Sequence, residues 1–249
     1  MSKSLSGKLA IVTGGSRGIG AAIAQRLAAD GADVVISYSA STERAEAVVK
    51  SLKALGVRAA AFKADQAQPA QVASFIRAAV EQFGKVDILV NNAGLFFAGP
   101  VGDVDADIAA LNRMLDVNIR GVSAAVRAAV PLMNDNGRII SIGSGLGDRA
   151  LWPGLSDYAA SKAAVAAYSR GWARDLAPRG ITVNAVLPGP INTEMNPDKG
   201  DFADMERAAI PLGRFGRPEE IAAAVAFLAS PEAAFITGVS LPVDGGIGA

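Results

Sequence analysis

Short apolar runs alternate with longer helix-like stretches from one end of this chain to the other, and that rhythm leaves few folds open. Leu9-Ala-Ile-Val-Thr13 reads as a buried strand, followed by a glycine turn and a helix to about Asp30. Asp33–Ser37 reads as the second strand and Thr42–Leu55 as the helix after it. Further strands are expected at Val57–Phe62, Val86–Val90, Arg138–Ile142, Ile181–Val186 and Val239–Val243. The intervening helices are expected at about 69–83, 105–133, 158–177 and 218–229. Strands that are apolar throughout must be covered on both faces, so the fold class is α/β, a mostly parallel sheet with helices on both sides. No linker, repeat or low-complexity tract interrupts the 249 residues, which read as one domain. Only the segment 192–216 breaks the rhythm. It is rich in Pro, Gly and charge, and reads as a lid or substrate loop, with an ordinary surface excursion as the alternative.

Composition removes whole classes of function. Lysine plus arginine and aspartate plus glutamate are equal at 24 each, so there is no electrostatic footprint for nucleic acid or an anionic membrane. No apolar run reaches a membrane span, and the first residues lead into a strand rather than a signal peptide. Without cysteine there are no disulfides, and the cytoplasm is the expected location. The chain also has no histidine, which excludes Ser-His-Asp hydrolysis and any zinc site built on His or Cys. No dense acidic cluster offers a metal site either, so no metal is expected.

Tyrosine is then the best acid–base group available. Tyr158 and Lys162 lie four residues apart in Tyr158-Ala-Ala-Ser-Lys162, on one face of an alanine-rich helix. A nearby ammonium favours the phenolate, so Lys162 is expected to lower the Tyr158 pKa towards neutrality. The bland alternative for Tyr158 is a packed aromatic ring with a satisfied hydroxyl.

At the other end of the chain, strand one runs into Thr13-Gly14-Gly15-Ser16-Arg17-Gly18-Ile19-Gly20 and a helix. Glycines let the backbone approach a pyrophosphate, and the helix N-terminus supplies free N–H groups. The spacing is Gly-x-x-x-Gly-x-Gly, and the Gly-Lys-Ser/Thr ending of a P-loop is absent. Strand two ends Ser37-Tyr38-Ser39 with no acid at its tip. A cation, Arg17, with the hydroxyls of Ser39, Ser41 and Thr42 but no carboxylate suits a 2′-phosphate. NADP(H) is therefore expected, with NAD(H) as the alternative and a merely solvated Arg17 as the bland reading.

These motifs, together with Asn91-Asn-Ala-Gly94, Ser144 and Pro188-Gly189, resemble in type and order the motif set of the short-chain dehydrogenase/reductases. The similarity covers essentially the whole chain and is greatest to 3-oxoacyl-(acyl-carrier-protein) reductase-like members. Tyr38–Val49, Pro211–Glu220 and Ile236–Gly246 carry it as well. The resemblance implies a single Rossmann domain with a seven-stranded sheet and a tetrad of Asn118, Ser144, Tyr158 and Lys162. Ser144 would bind the substrate carbonyl, Tyr158 would protonate it, Lys162 would hold the nicotinamide ribose, and Asn118 would position a water. Ser144 lies fourteen residues before Tyr158, one more than is usual, and Ser141 is its rival. Asn118 could instead satisfy backbone groups.

The resemblance further assigns cofactor contacts to Ala93 and Gly94, and to Asn91 beside the adenosine. Pro188, Gly189, Ile191 and Thr193 would border the nicotinamide, and Asp65 would lie beside the adenine unless it is a helix N-cap. Candidate substrate contacts are Phe96, Leu146, Trp152 and Met195 with Ser144, while Phe97 and Leu151 read as core or subunit-contact residues. These apolar side chains favour a hydrophobic ketone or an acyl thioester. The alanine face of the Tyr158 helix suggests burial against another subunit, in keeping with a homotetramer. The expected activity is NADPH-dependent reduction of a ketone or 3-oxoacyl group to a secondary alcohol. The alternatives are an NAD-dependent secondary-alcohol dehydrogenase and a non-catalytic nucleotide-binding regulator.

Overall fold

In the computed structural model, which describes residues 3–249, the seven strands form one all-parallel sheet in the order β3-β2-β1-β4-β5-β6-β7. The strands are β1 (Leu9–Val12), β2 (Asp33–Tyr38), β3 (Ala59–Lys63), β4 (Val86–Asn91), β5 (Met133–Ile142), β6 (Thr182–Pro188) and β7 (Ser240–Val243). The helices are α1 (Gly18–Ala29), α2 (Thr42–Lys53), α3 (Pro69–Phe83), α4 (Ile108–Leu115), α5 (Val122–Ala129), α6 (Ser156–Leu176), α7 (Asp201–Ala209) and α8 (Pro218–Ala229).

Side chains along each strand alternate between two apolar layers, as a period of two requires. Val12, Val34, Ile36, Val90 and Ile140 face Ile23 and Leu27 of α1, Leu52 of α2 and Val225 of α8. Ile11, Val35, Leu89, Ile139 and Val183 face Phe75 and Ile76 of α3, Val126 of α5 and Ala173 of α6. Burial on both faces explains why the strands are apolar throughout. The order reverses at β1, between β2 and β4, and in such sheets the crevice beyond the carboxyl ends of those strands is the place for a ligand.

Three stretches depart from the expectations. The helical region read as 105–133 is broken: α4 and α5 flank a π turn at Asp116–Gly121. A wider turn of this kind re-aims side chains and is frequent at functional sites. Strand β5 starts at Met133, not Arg138, because Met133 pairs with Val86 before a register shift. Asn136, with φ 61°, takes the left-handed conformation inside that irregularity. Segment 192–216 contains α7, a helix the alternation did not announce. Asp201 and Asp204 in its first turn suit the positive end of the helix dipole, and Ala203 turns inward. No helix among the described residues is long and apolar enough to cross a membrane.

Candidate active site

One cleft of about 570 Å³ opens at the carboxyl ends of the central strands. The glycine turn lines one end, and Ser144, Tyr158 and Lys162 line its middle. Met195, Asn196, Phe202 and Glu206 of the 192–216 segment line the far wall.

At the nucleotide end the backbone is stapled in place. Thr13 Oγ1 accepts hydrogen bonds from the N–H groups of Asn92 and Ala93 at 3.0 and 3.1 Å. Asn92 Nδ2 donates to the carbonyls of Thr13 and Gly14 at 3.0 and 3.1 Å. Gly14 has φ 65°, and a Cβ there would lie 2.9 Å from Ala93 Cα. Glycine is therefore required both by conformation and by the close approach of the chain leaving β4. Arg17 caps α1 with no side-chain hydrogen bond to the first turn, so the N–H groups of that turn are left to a ligand. Gly14, Ser16, Arg17, Gly18, Ile19 and Gly20 all line the cleft. This is a cradle suited to a dinucleotide pyrophosphate.

Tyr38, Ser39, Asp65, Ala93, Gly94, Pro188, Gly189, Ile191 and Thr193 line the cleft as well. Asp65 is not the N-cap of α3, which is Gln68. It accepts from the N–H of Ala67 at 3.0 Å and pairs with Arg113 at 3.0 Å. Asn91 is set apart from the other predicted contacts. It is buried inside β4 and donates to Ser141 Oγ at 3.1 Å, while its neighbour Asn92, just past the strand end, reaches the cleft. Ser141 is thus turned into the sheet and Ser144 lines the cleft. Ser41 caps α2, accepting from Arg44 N at 3.3 Å. Arg17 is not merely solvated: with Arg44 it holds the Glu194 carboxylate.

Ser144 follows β5 in a 3₁₀ turn, where its Oγ accepts from Leu146 N at 3.2 Å. Tyr158 and Lys162 project from α6 on one side of the helix, and Lys162 Nζ sits 5.8 Å from the centroid of the Tyr158 ring. Lys162 is buried and donates to the Ile142 carbonyl at 3.1 Å. The expected acidification of the phenol does not occur here. Burial pushes the Tyr158 pKa up to about 12, and the hydrogen bond with Ser144 opposes that only in part. Burial likewise lowers the Lys162 pKa to about 8, because desolvation penalises the ammonium. The edge of the Phe96 ring stands against Tyr158 with centroids 4.9 Å apart, which adds to the exclusion of water.

Asn118, in the π turn, is buried beside this group rather than on the cleft surface. Its Oδ1 accepts from Leu95 N at 2.8 Å, and its Nδ2 donates to the Leu95 carbonyl at 2.9 Å and to Ser161 Oγ at 3.0 Å. Both amide protons are used, and one lone pair of Oδ1 remains. The side chain therefore satisfies backbone groups, those of the strand-four exit rather than of its own helix.

Phe96, Leu146, Trp152 and Met195 line the cleft as expected from their positions. So does Leu151, which the sequence assigned to the core or a subunit contact; Phe97 does not. Three further residues were not foreseen. Phe202, on α7, meets Trp152 with ring centroids 6.0 Å apart and so joins the segment to the opposite wall. Glu206, one turn further along α7, is buried and accepts from Asn196 Nδ2 at 3.0 Å. Burial raises its pKa, and the Asn196 bond opposes that. Arg44 is the third, and its i,i+3 relation to Ser41 gives no hint that it reaches across to Glu194.

A family profile described as enoyl-(acyl carrier protein) reductase matches residues 14–248. A short-chain dehydrogenase/reductase from Serratia marcescens is 51% identical, with a TM-score of 0.96 over 99% of this chain and 100% of that one. This chain belongs to the short-chain dehydrogenase/reductase family. As a member it is an NAD(P)-dependent oxidoreductase acting on CH–OH or carbonyl groups. Another short-chain dehydrogenase, from Burkholderia cenocepacia and solved in complex with NADP, is 50% identical with a TM-score of 0.96, over 99% of this chain and 100% of that one. Among curated members, the 3-oxoacyl-(acyl-carrier-protein) reductase of Staphylococcus aureus is 42% identical over 243 residues, 96% of this chain and 98% of that one.

Proposed function

We propose that this enzyme is an NADPH-dependent ketoreductase, reducing a ketone or 3-oxoacyl group to a secondary alcohol. The observation that carries the reading is that Ser144, Tyr158 and Lys162 share one cleft with the glycine turn. Two hydroxyls at one point suit a carbonyl oxygen, which accepts two hydrogen bonds, better than they suit a carbon–carbon double bond.

The nicotinamide, when bound, supplies the hydride. Ser144 donates to the substrate oxygen and holds it beside Tyr158. Tyr158, pushed up to about 12 by burial, is a protonated donor at neutral pH and transfers its proton to that oxygen. Lys162 contributes the cation that the resulting phenolate needs and binds the ribose hydroxyls. Asn118 keeps one Oδ1 lone pair for a water leading towards Lys162; both atoms lie within 3.4 Å of where a Cβ on Gly94 would be. In the reverse direction Tyr158 acts as the base.

NADP(H) is favoured over NAD(H) by the convergence of Arg17 and Arg44 on one point, and by the lack of a carboxylate at the tip of β2. Segment 192–216 acts as a lid on the single domain, closing the substrate end through Phe202 and Met195. The substrate is a small hydrophobic ketone or an acyl thioester, in keeping with the apolar wall. A homotetramer is supported by the exposed small residues Ala160, Ala167 and Gly171 on α6, beside the flat Tyr168–Trp172 stack at 4.6 Å.

The test is cofactor oxidation with a panel of ketones and acyl thioesters, using NADPH and NADH in parallel. The proposal expects turnover with at least one carbonyl class and higher kcat/KM with NADPH. No oxidation with any carbonyl, or a preference for NADH, would contradict it.

A further inference from the structure

We propose that Glu194 is a built-in competitor for the cofactor's 2′-phosphate and so sets how tightly NADPH binds. The inference rests on the NADP(H) reading above. Arg17 stands at the start of α1 and Arg44 in the first turn of α2, yet both aim at one carboxylate. Arg17 Nη1 donates to Glu194 Oε2 at 3.0 Å, and Arg44 Nη1 reaches Oε1 and Oε2 at 2.9 and 2.8 Å. Among the described residues neither arginine pairs with another carboxylate. The partner comes from 177 and 150 residues away, so local chain geometry does not force the contact.

Two guanidinium groups focused on one point form an anion site, and here the protein's own carboxylate fills it. Arg17 and Glu194 line the same cleft as Tyr38 and Ser39, and the tip of β2 has no acid of its own. The hydrogen bond from Arg44, then that from Arg17, keeps the Glu194 carboxyl below its usual range, so it stays ionised and able to compete at neutral pH.

Glu194 belongs to the strap that crosses the glycine turn. The methyl of Thr193 lies 3.6 Å from where a Cβ on Gly18 would be. A tight turn closes the strap, with Thr193 N donating to the Asn196 carbonyl at 3.1 Å and Asn196 N to Thr193 Oγ1 at 3.2 Å. Glu194 itself lies outside the seven strands and makes no side-chain bond other than those to Arg17 and Arg44 among the described residues. Exposed ion pairs are individually weak, so a phosphate of higher charge, offering three oxygens to the fork-like guanidiniums, displaces a single carboxylate. NADH has no 2′-phosphate and leaves Glu194 where it is.

The experiment measures dissociation constants of NADPH, NADH and adenosine 2′,5′-bisphosphate for the wild type and Glu194→Gln, at low salt and at about 0.5 M salt. Glu194 is half exposed, and the substitution is expected to leave the fold intact. The expected result is a roughly 3–10-fold tighter fit for the two ligands bearing a 2′-phosphate, no change for NADH, and a smaller gain at high salt. In an Arg44→Ala background the gain shrinks to what competition at Arg17 alone leaves, because the residues act on one site. Unchanged or weaker NADPH binding, or an equal gain for NADH, would overturn the proposal. If Arg17→Ala and Arg44→Ala leave the ratio of NADPH to NADH affinity unaltered, the cofactor reading fails as well. A ratio that depends on the arginines but ignores Glu194 removes only this inference.

Discussion

At the nucleotide end of the cleft the shape is set by backbone, whereas at the substrate end it is set by side chains carried on a crossing segment. At the nucleotide end the side chains of Thr13 and Asn92 clamp main-chain N–H and carbonyl groups at the carboxyl ends of β1 and β4, and Gly14 packs on the Ala93 backbone, with little room for exchange. The far wall instead rests on aromatic contacts such as Phe202 with Trp152 and on one polar link between Asn196 and Glu206. The first arrangement suits the proposed cofactor, a ligand that would be the same in every turnover. The second can alter its specificity by changing a few side chains and leave the sheet untouched. Ser144, Tyr158 and Lys162, the residues proposed to act on the carbonyl, are carried by β5's exit and α6, where rigid elements hold them.

The contrast breaks most visibly at Gly14. Gly14→Val places a β-branched side chain at φ 65° against Ala93, a conformation costing about 1–2 kcal/mol before the clash is counted. NADPH affinity should fall by a factor on the order of 100 while the sheet still folds, as titration and far-ultraviolet circular dichroism would report. Retained affinity would mean that the glycine turn is not the pyrophosphate cradle.

The middle of the cleft supplies a pH signature. Burial lowers the Lys162 pKa to about 8, so its ammonium is present below that pH and lost above it. Tyr158, pushed up to about 12, stays protonated through the same interval. The kcat/KM for reduction should therefore be flat near pH 7 and fall about tenfold per unit above pH 8, since it reports the free enzyme. The fall should be absent in Lys162→Arg, whatever that variant's overall activity. A profile flat to pH 10 would contradict the account of Lys162.

The smallest effect sharpens the comparison from the other end. Phe202→Ala should change relative kcat/KM between small and bulky ketones by several fold, with NADPH affinity unchanged. Because Phe202 is half exposed, the melting temperature should hardly move. An equal loss for every ketone would place Phe202 outside substrate selection.

Much of this was legible in the residues. The strands announced themselves because burial on both faces makes them apolar throughout, and Pro69 and Pro218 open α3 and α8 at the first helical position. The glycine turn and the Tyr158–Lys162 spacing also survive translation into geometry, since each is local. What was hidden depends on distant neighbours. Consecutive Asn91 and Asn92 differ only in where β4 ends, so the sequence did not tell which one reaches the cleft. The helix α7 is short and set between Gly200 and Pro211, and its buried Ala203 and Glu206 form no apolar stripe. The π turn at Asp116–Gly121 is made mostly of weak helix formers, but that composition does not say that the helix continues through it with a wider turn. The direction of the Tyr158 pKa could not be had from the Tyr158–Lys162 spacing alone, because desolvation by the surrounding fold is the largest influence on the phenol. Arg17, Arg44 and Glu194 meet only because α1, α2 and the strap converge above the turn.

The central claim is that the Tyr158 hydroxyl delivers the proton that completes carbonyl reduction. Its most direct test is single-turnover oxidation of bound NADPH by a good ketone substrate in Tyr158→Phe, with NADPH affinity measured on the same preparation. The account predicts unchanged cofactor binding and a rate lowered by about 10²–10⁴. A variant that binds NADPH normally and still reduces the ketone within a few fold of the wild-type rate would contradict it.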